Sequence, residues 1–244
     1  MASLVQDQKD KLVDANKQLL VKERMAALGQ LTATVAHEIR NPLGTVRSSI
    51  FSIEDAYQKD NKDRVKRALS LAERNIVRCD NIITELLDFT RHRDPRIEKV
   101  EMAEWLRALV QEQSIPSTIG VELRLDDTMA LEIDKGELYR AVVNVVDNAI
   151  QAMEQREGFQ QVNRLTVQTQ IVDNRFEIIV EDTGPGISEK DKARITEPLY
   201  STKTYGVGLG LAIVQKVMDQ HQGGLEFTSI EKEGSRFTLW LPIA

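Results

Sequence analysis

Four groups of residues in this 244-residue chain have types and spacings that suit chemistry. The first is His37-Glu38, followed closely by Asn41 and Pro42. On a helix turning roughly 100° per residue, His37 lies about 180° from Leu28 and Val46, away from their apolar stripe, so its imidazole is expected exposed and its ring nitrogens available as nucleophiles. Glu38 can orient that ring or take its proton, and Asn41 falls one turn on, on nearly the same face. Pro42 lacks an N–H, so the Glu38 carbonyl loses its helical donor and a kink or strain is expected beside the histidine. The second group, Asn144 and Asn148, sits at i and i+4 on an expected helix otherwise lined by Val142, Val145, Val146 and Ala149. Their side-chain carbonyls suit Mg²⁺, which takes oxygen ligands and keeps waters and nucleotide phosphates in the rest of its octahedron.

The third group is Asp182-Thr183-Gly184-Pro185-Gly186, placed directly after a strand-like run. Asp182 can accept a hydrogen bond from an adenine amino group and would reject guanine, which presents a carbonyl at that edge; Gly184 and Gly186 let a ligand come close. The fourth is Gly206-Val207-Gly208-Leu209-Gly210-Leu211, which leads into an apolar helix whose first backbone N–H groups can bind phosphate. Singly, each is weak. A surface histidine is ordinarily only that, a DTGPG run also makes a plain turn, and paired asparagines often decorate a helix surface.

The elements that would carry these groups fall into two halves. From Leu4 to about Arg93 there are one proline and only two glycines, and apolar residues recur at three- and four-residue steps, which predicts long helices. Val5, Leu12, Leu19 and Ala26 repeat every seven residues, as the end of a coiled coil would. One stripe runs Leu28, Leu31, Val35, Ile39, Leu43, Val46, Ile50 and Ile53. Polar Lys59-Asp60-Asn61-Lys62 breaks it, and a second runs Val65, Leu69, Ala72, Ile76, Cys79, Ile83 and Leu86 before Asp94-Pro95. Two such helices predict an antiparallel hairpin that dimerises into a four-helix bundle.

Beyond Pro95 the pattern is mixed. Glu101–Gln113 reads as helix, Gly120–Leu125 and Leu131–Asp134 as strands, and Asp134 with Glu137 as a capping-box-like start to a helix ending near Gln155. Leu165–Val172 and Phe176–Glu181 alternate around an Asp173-Asn174 hairpin turn; Gly208–Gln220 reads as helix; Leu225–Ile230 and Arg236–Leu241 close the sheet. The second half is thus an α+β sandwich with helices on one face.

A formal charge of −6, with 32 basic residues interspersed among 38 acidic ones, gives no electrostatic case for nucleic-acid binding. The single cysteine, Cys79, sits at helical spacing among apolar residues and reads as core in a reducing compartment. No run approaches the ~20 apolar residues of a membrane span. A cytoplasmic location is expected, either as a free protein or as the cytoplasmic part of a membrane-anchored receptor.

Taken together the motifs resemble those of the sensor histidine kinases of two-component systems. Val35-Ala36-His37-Glu38-Ile39-Arg40-Asn41-Pro42-Leu43 looks like their H-box, Asn144-Val145-Val146-Asp147-Asn148-Ala149 their N-box, Asp182-Thr183-Gly184-Pro185-Gly186 their G1-box and the Gly206–Leu211 run their G2-box. Glu197-Pro198-Leu199-Tyr200-Ser201-Thr202-Lys203 is similar to the F-box, inside a lid spanning Ile187 to Tyr205. There are two departures. The customary aromatic pair of the F-box is Leu199-Tyr200 here, and Gln151 stands where many members have a lysine, so that phosphate charge must be met elsewhere, with Lys203 the candidate. The pairing of HEIRNP with Gln151 is most similar to the nitrogen-regulation type.

The resemblance implies a signalling helix over 1–27, a dimerisation and histidine phosphotransfer domain over 28–94, a hinge over 95–99 and a catalytic ATP-binding domain of Bergerat type over 100–244. It implies a homodimeric protein histidine kinase that uses ATP and Mg²⁺ to phosphorylate His37. Glu38 and Asn41 assist, Asn144 and Asn148 hold the metal, and the phosphoryl group passes to an aspartate on a response-regulator receiver domain. Phosphatase action toward that regulator is a further implication. Two rivals share some features. A chaperone- or repair-type ATPase would have the asparagine and glycine boxes without the His37 motif, and a silent receiver-binding scaffold would not retain the whole set.

Overall fold

The computed structural model describes residues 35–90, 95–126, 129–154, 162–201 and 208–243. The expected coiled coil over 1–27, and with it Leu28, Leu31, Lys203 and Gly206, lies outside these residues. The chain divides into two units, one ending at Arg91 and the other beginning at His92.

The first unit is a helical hairpin, α1 (35–58) and α2 (Lys62–Thr90). Its corner is compact because two polar residues perform both the stop and the start. Asp60 takes a left-handed φ of +48°. Its N–H donates to the Tyr57 carbonyl at 3.1 Å and the Asn61 N–H to the Ala56 carbonyl at 2.9 Å, which closes α1 in a Schellman arrangement. Asn61 Oδ1 then accepts from the Arg64 N–H at 3.0 Å and caps α2. Pro42 is buried and α1 continues through it as one helix.

The hairpin interior differs from the expected stripes. Val35, Pro42, Ser49 and Ala56 are buried at seven-residue steps on α1, as are Ala68, Asn75 and Ile82 on α2, with Cys79 beside them. Most of these are small, so the two helices meet along a narrow line. Larger apolar residues, most of them in the expected stripes, remain open to solvent. Leu43, Ile50 and Tyr57 form one exposed line at sevens, and Leu69, Ile76 and Ile83 another, each with at least 43% of its surface accessible.

The second unit starts with β1 (Ile97–Glu101), which pairs antiparallel with β3 (Ala130–Asp134) as a ribbon. Within the expected hinge, residues 97–99 are strand, and the Arg96 N–H donates to Asp134 Oδ2 at 2.8 Å. The sequence hid β1 because its residues alternate Ile-Glu-Lys-Val-Glu with only Val100 buried. After β1 come α3 (Met102–Glu112), β2 (Ile119–Arg124), α4 (Lys135–Glu154), β4 (Asn163–Val172) and β5 (Arg175–Asp182). The chain continues with the short α5 (Glu189–Lys192), which the sequence reading missed, then α6 (Gly210–Gln220), β6 (Gly224–Ile230) and β7 (Gly234–Pro242).

The main sheet has the order β2-β4-β5-β7-β6, with β2 parallel to β4 and the other pairs antiparallel. Asp173 and Asn174, at φ +48° and +62°, make the expected tight turn between β4 and β5. Register places Val167, Val180 and Phe237 in one row, Ile178 and Leu239 in the next and Phe176 and Leu241 beyond, all buried. This apolar face takes α4 and α6, whose Leu138, Val142, Val145, Val214 and Met218 are fully buried against it. Asp182 is two residues beyond Val180 and so shares that face.

Candidate functional site

In the hairpin, His37 is exposed on α1, as its position opposite the stripe requires. The Asn41 side-chain amide nitrogen lies 3.4 Å from His37 Nδ1, so the residue one turn on touches the ring directly. Glu38 is held across the hairpin by Arg78 of α2, at 3.5 Å, with the Arg78 and Glu38 side chains 20% and 29% exposed. Arg78 was not singled out from sequence. Its signal is only long-range, since nothing local on α2 marks it as the partner of a residue forty positions earlier.

In the second unit, α4 begins at a carboxylate. Asp134 Oδ1 accepts from the Glu137 N–H at 3.0 Å, which is the expected cap. The reciprocal half of the capping box is absent, because Glu137 instead grips Arg140 Nη1 with both carboxylate oxygens, at 3.0 and 3.1 Å. The Asp134 N–H donates to His221 Nε2 at 3.1 Å, and His221 Nδ1 lies 2.8 Å from the Val217 carbonyl. A backbone N–H only donates and a carbonyl only accepts, so His221 is the neutral tautomer with its proton on Nδ1. It fastens the end of α6 to the start of α4, a role its place beside Gly223-Gly224 does not announce.

Burial works against ionisation of Asp134, yet the backbone amide donors of Arg96, Glu137 and Gly136 outweigh it and hold its carboxyl below the ordinary range. A lowered folded-state pKa contributes stability above the unfolded value, and that contribution is lost as pH falls through the folded one. Asp134→Asn is therefore expected to cost about 1 kcal/mol at pH 7. The gap to wild type should close as pH drops from about 5 toward 3, which urea unfolding at several pH values will show.

The nucleotide groups converge along α4. Asp182 is buried, and its Oδ1 accepts from the Gly184 N–H at 2.7 Å, which fixes the carboxylate and the turn together. Gly184 packs on Ala152 of α4. Gly186 has φ +69°, and a Cβ there would stand 2.1 Å from the Ile230 carbonyl, so the turn leaves β5 pinned against the β6–β7 hairpin. At the other end, Gly210 opens α6 directly over Asn144 and Asn148. A Cβ at Gly210 would lie 2.9 Å from Asn144 Oδ1 and 3.8 Å from Asn148 Nδ2. Asn144 Nδ2 donates to the Arg140 carbonyl at 2.8 Å, which leaves Oδ1 turned toward the start of α6. Gly208, at φ +73°, is tied to residue 199, its carbonyl accepting from the Leu199 N–H at 3.0 Å, and Leu211 is half-buried in the first turn of α6.

Residues 188–200 are folded on themselves. Asp191 accepts from Ser188 Oγ at 2.6 Å and from the Tyr200 hydroxyl at 2.5 Å, and these bonds hold its carboxyl low while they push the Tyr200 phenol up. Arg194 lies over the Tyr200 ring at 4.2 Å. Tyr200, at the position of the altered aromatic pair, thus anchors the segment that follows α5.

The donor set fits Mg²⁺. Asn144 offers a hard amide oxygen, and among the described residues no cluster of three His, Cys, Asp or Glu forms a closed metal cage, so phosphate and water would supply the remaining ligands. Among the same residues no helix is long and apolar enough to cross a membrane.

A hairpin bearing an exposed histidine and a sandwich presenting a buried aspartate, paired asparagines and a glycine-opened helix define a phosphoacceptor unit followed by an ATPase-type unit. Residues 27–95 match the family described as the His Kinase A (phospho-acceptor) domain, and residues 133–244 match the histidine kinase-, DNA gyrase B-, and HSP90-like ATPases. The signal transduction histidine-protein kinase AtoS of Escherichia coli K12 is 32% identical over 239 residues, covering 94% of this chain and 37% of that protein. The sensor histidine kinase ZraS of the same strain is 30% identical over 227 residues, covering 91% of this chain and 47% of its own length. Histidine kinase ThkA, solved in complex with the response regulator protein TrrA, shares the fold with a TM-score of 0.75 at 24% identity, over 92% of this chain and 64% of that one. The chain belongs to the sensor histidine kinases of two-component systems. It spans about half or less of the curated relatives AtoS and ZraS.

Proposed function

We propose that this chain transfers the γ-phosphoryl group of Mg-ATP to His37 and then to an aspartate of a response-regulator receiver domain. The observation that carries the reading is the pairing, in one chain, of exposed His37 in contact with Asn41 and a nucleotide site built from Asp182, Asn144, Asn148 and Gly210. Asp182 receives the adenine amino group. The N–H groups opening α6 receive phosphate oxygens, where the partial positive charge of the helix start favours them. Asn144 and Asn148 would hold Mg²⁺, which would neutralise charge on the transferring phosphates. Lys203 adds its ammonium to the same charge.

Attack by His37 Nε2 requires its lone pair and hence a proton on Nδ1. A half-turn of the Asn41 amide presents Oδ1 to that proton, and Glu38 serves as ring orienter or base. The Nε2–P bond forms as the bond from phosphorus to the β,γ-bridging oxygen breaks, and ADP leaves. Phosphohistidine then donates to the receiver aspartate, a step supported by the solved complex of ThkA with its regulator. In the separate phosphatase reaction, Asn41 would position the water that hydrolyses the receiver's aspartyl phosphate. A cytoplasmic setting, where ATP and Mg²⁺ are abundant, suits the reaction.

Incubation with γ-labelled ATP and Mg²⁺ tests the reading. Label on the chain that is acid-labile, alkali-stable and chased onto a receiver domain is expected; ATP hydrolysis without protein label would sink it.

The chain acts as a homodimer in this reading. The exposed lines Leu43-Ile50-Tyr57 and Leu69-Ile76-Ile83 have the seven-residue spacing at which a second hairpin completes a four-helix bundle. Ile76→Glu places a charge in that seam and is expected to weaken dimerisation by about 10²-fold or more, with helicity retained. Sedimentation across a concentration series will measure it.

A further inference from the structure

We propose that Arg140 is the side chain that receives the terminal phosphate of ATP, and that Glu137 masks it until the nucleotide arrives. The inference rests on the nucleotide site proposed above. Along α4 the residues Ala152, Asn148, Asn144 and Arg140 follow at four-residue steps, each about 6 Å further along the helix and on nearly one face. The first three positions are already accounted for. Ala152 packs on Gly184 at the adenine end, and Asn148 and Asn144 lie under Gly210 at the phosphate end. A nucleotide laid from Asp182 toward Asn144 therefore directs its last phosphate at the next position in the line, Arg140.

Charge supports the assignment. Gln151 supplies none where a lysine is common, and α4 contains two cations, Lys135 in its first turn and Arg140. Arg140 and Glu137 are equally exposed, at 22% each, so the pair is accessible from solvent and can open. A planar guanidinium suits bidentate binding of phosphate oxygens. The dianionic γ-phosphate replaces one carboxylate as the partner of Arg140, and the Arg140 carbonyl, held by Asn144 Nδ2, keeps the metal-binding amide in register with it. ADP has no group that reaches this position, so Arg140 distinguishes substrate from product.

Equilibrium binding of Mg-ATP and Mg-ADP to the full chain tests this, with a thermal melt of each variant as a control for folding. Arg140→Gln is expected to lower ATP affinity about tenfold, to leave ADP affinity within about twofold and to slow labelling at saturating ATP about 100-fold, with partial return in Arg140→Lys. Glu137→Gln removes the competitor and is expected to raise ATP affinity about threefold with ADP unchanged, a gain that a merely structural ion pair would not produce. Equal losses of ATP and ADP in Arg140→Gln, or no gain for ATP in Glu137→Gln, would overturn the assignment. Wild-type chain that binds neither nucleotide would instead overturn the nucleotide site itself.

Discussion

His37→Gln is expected to abolish incorporation of label from γ-labelled ATP, a fall of more than about 10³-fold, because the substitution removes the only imidazole in the motif and with it the nitrogen that bonds to phosphorus. Nothing else should change much. His37 is exposed, and its described contact is with Asn41 on the same helix, so glutamine, a good helix former, leaves the hairpin packing intact. ATP and ADP affinities should stay within about twofold of wild type, because the residues assigned to the nucleotide all belong to the second unit. The contrast with Glu38→Gln is informative. Glu38 keeps its neighbour Arg78 as a hydrogen-bond partner after that change but loses its charge, so a base or ring-orienting role predicts a partial loss that depends on pH, whereas His37→Gln is silent at every pH. Residual acid-labile label in His37→Gln would move the acceptor elsewhere, and His92 and His221 are the other histidines to examine.

How far such expectations were legible in the sequence depended on the range of the interactions. His37 exposed and Asn41 beside it follow from helical periodicity, which is local. The cap at Asp134, the Asp173-Asn174 turn and the strand-end position of Asp182 are local too, and the structure has each. The periodic stripes misled in one respect. Periodicity identifies an apolar face but not which part of it a single hairpin buries, and here small Ala56 and Ala68 go inside while Ile50 and Leu69 remain outside. Long-range partners were invisible. The Arg78–Glu38 pair spans forty positions and the His221–Asp134 bond spans 87, and each depends on which element packs against which. The missed strand β1 is the same problem in another form, since an edge ribbon with one buried side chain has almost no pattern of its own until β3 is beside it.

Asp182→Asn is the second large effect and the sharper probe of the nucleotide site. In the wild type Oδ1 is engaged by the Gly184 N–H at 2.7 Å, an acceptor role that asparagine can keep through its own Oδ1. The amide NH₂ then replaces the oxygen that would meet the base. Against adenine this sets donor against donor inside a site where the side chain is 7% exposed, so water cannot relieve the mismatch. ATP affinity is expected to fall by about 10²-fold or more, and autophosphorylation with it. Against guanine the same NH₂ faces a carbonyl and makes a normal hydrogen bond. The ratio of GTP to ATP binding should therefore rise in the variant, even where absolute affinity stays low. Direct binding of both nucleotides separates two accounts of a weak variant. A site that has collapsed because the turn at Gly184 is lost will bind neither base, with the melt of the second unit displaced. A site that is intact but misread will favour GTP relative to wild type, and only that inversion establishes Asp182 as the group that reads the base.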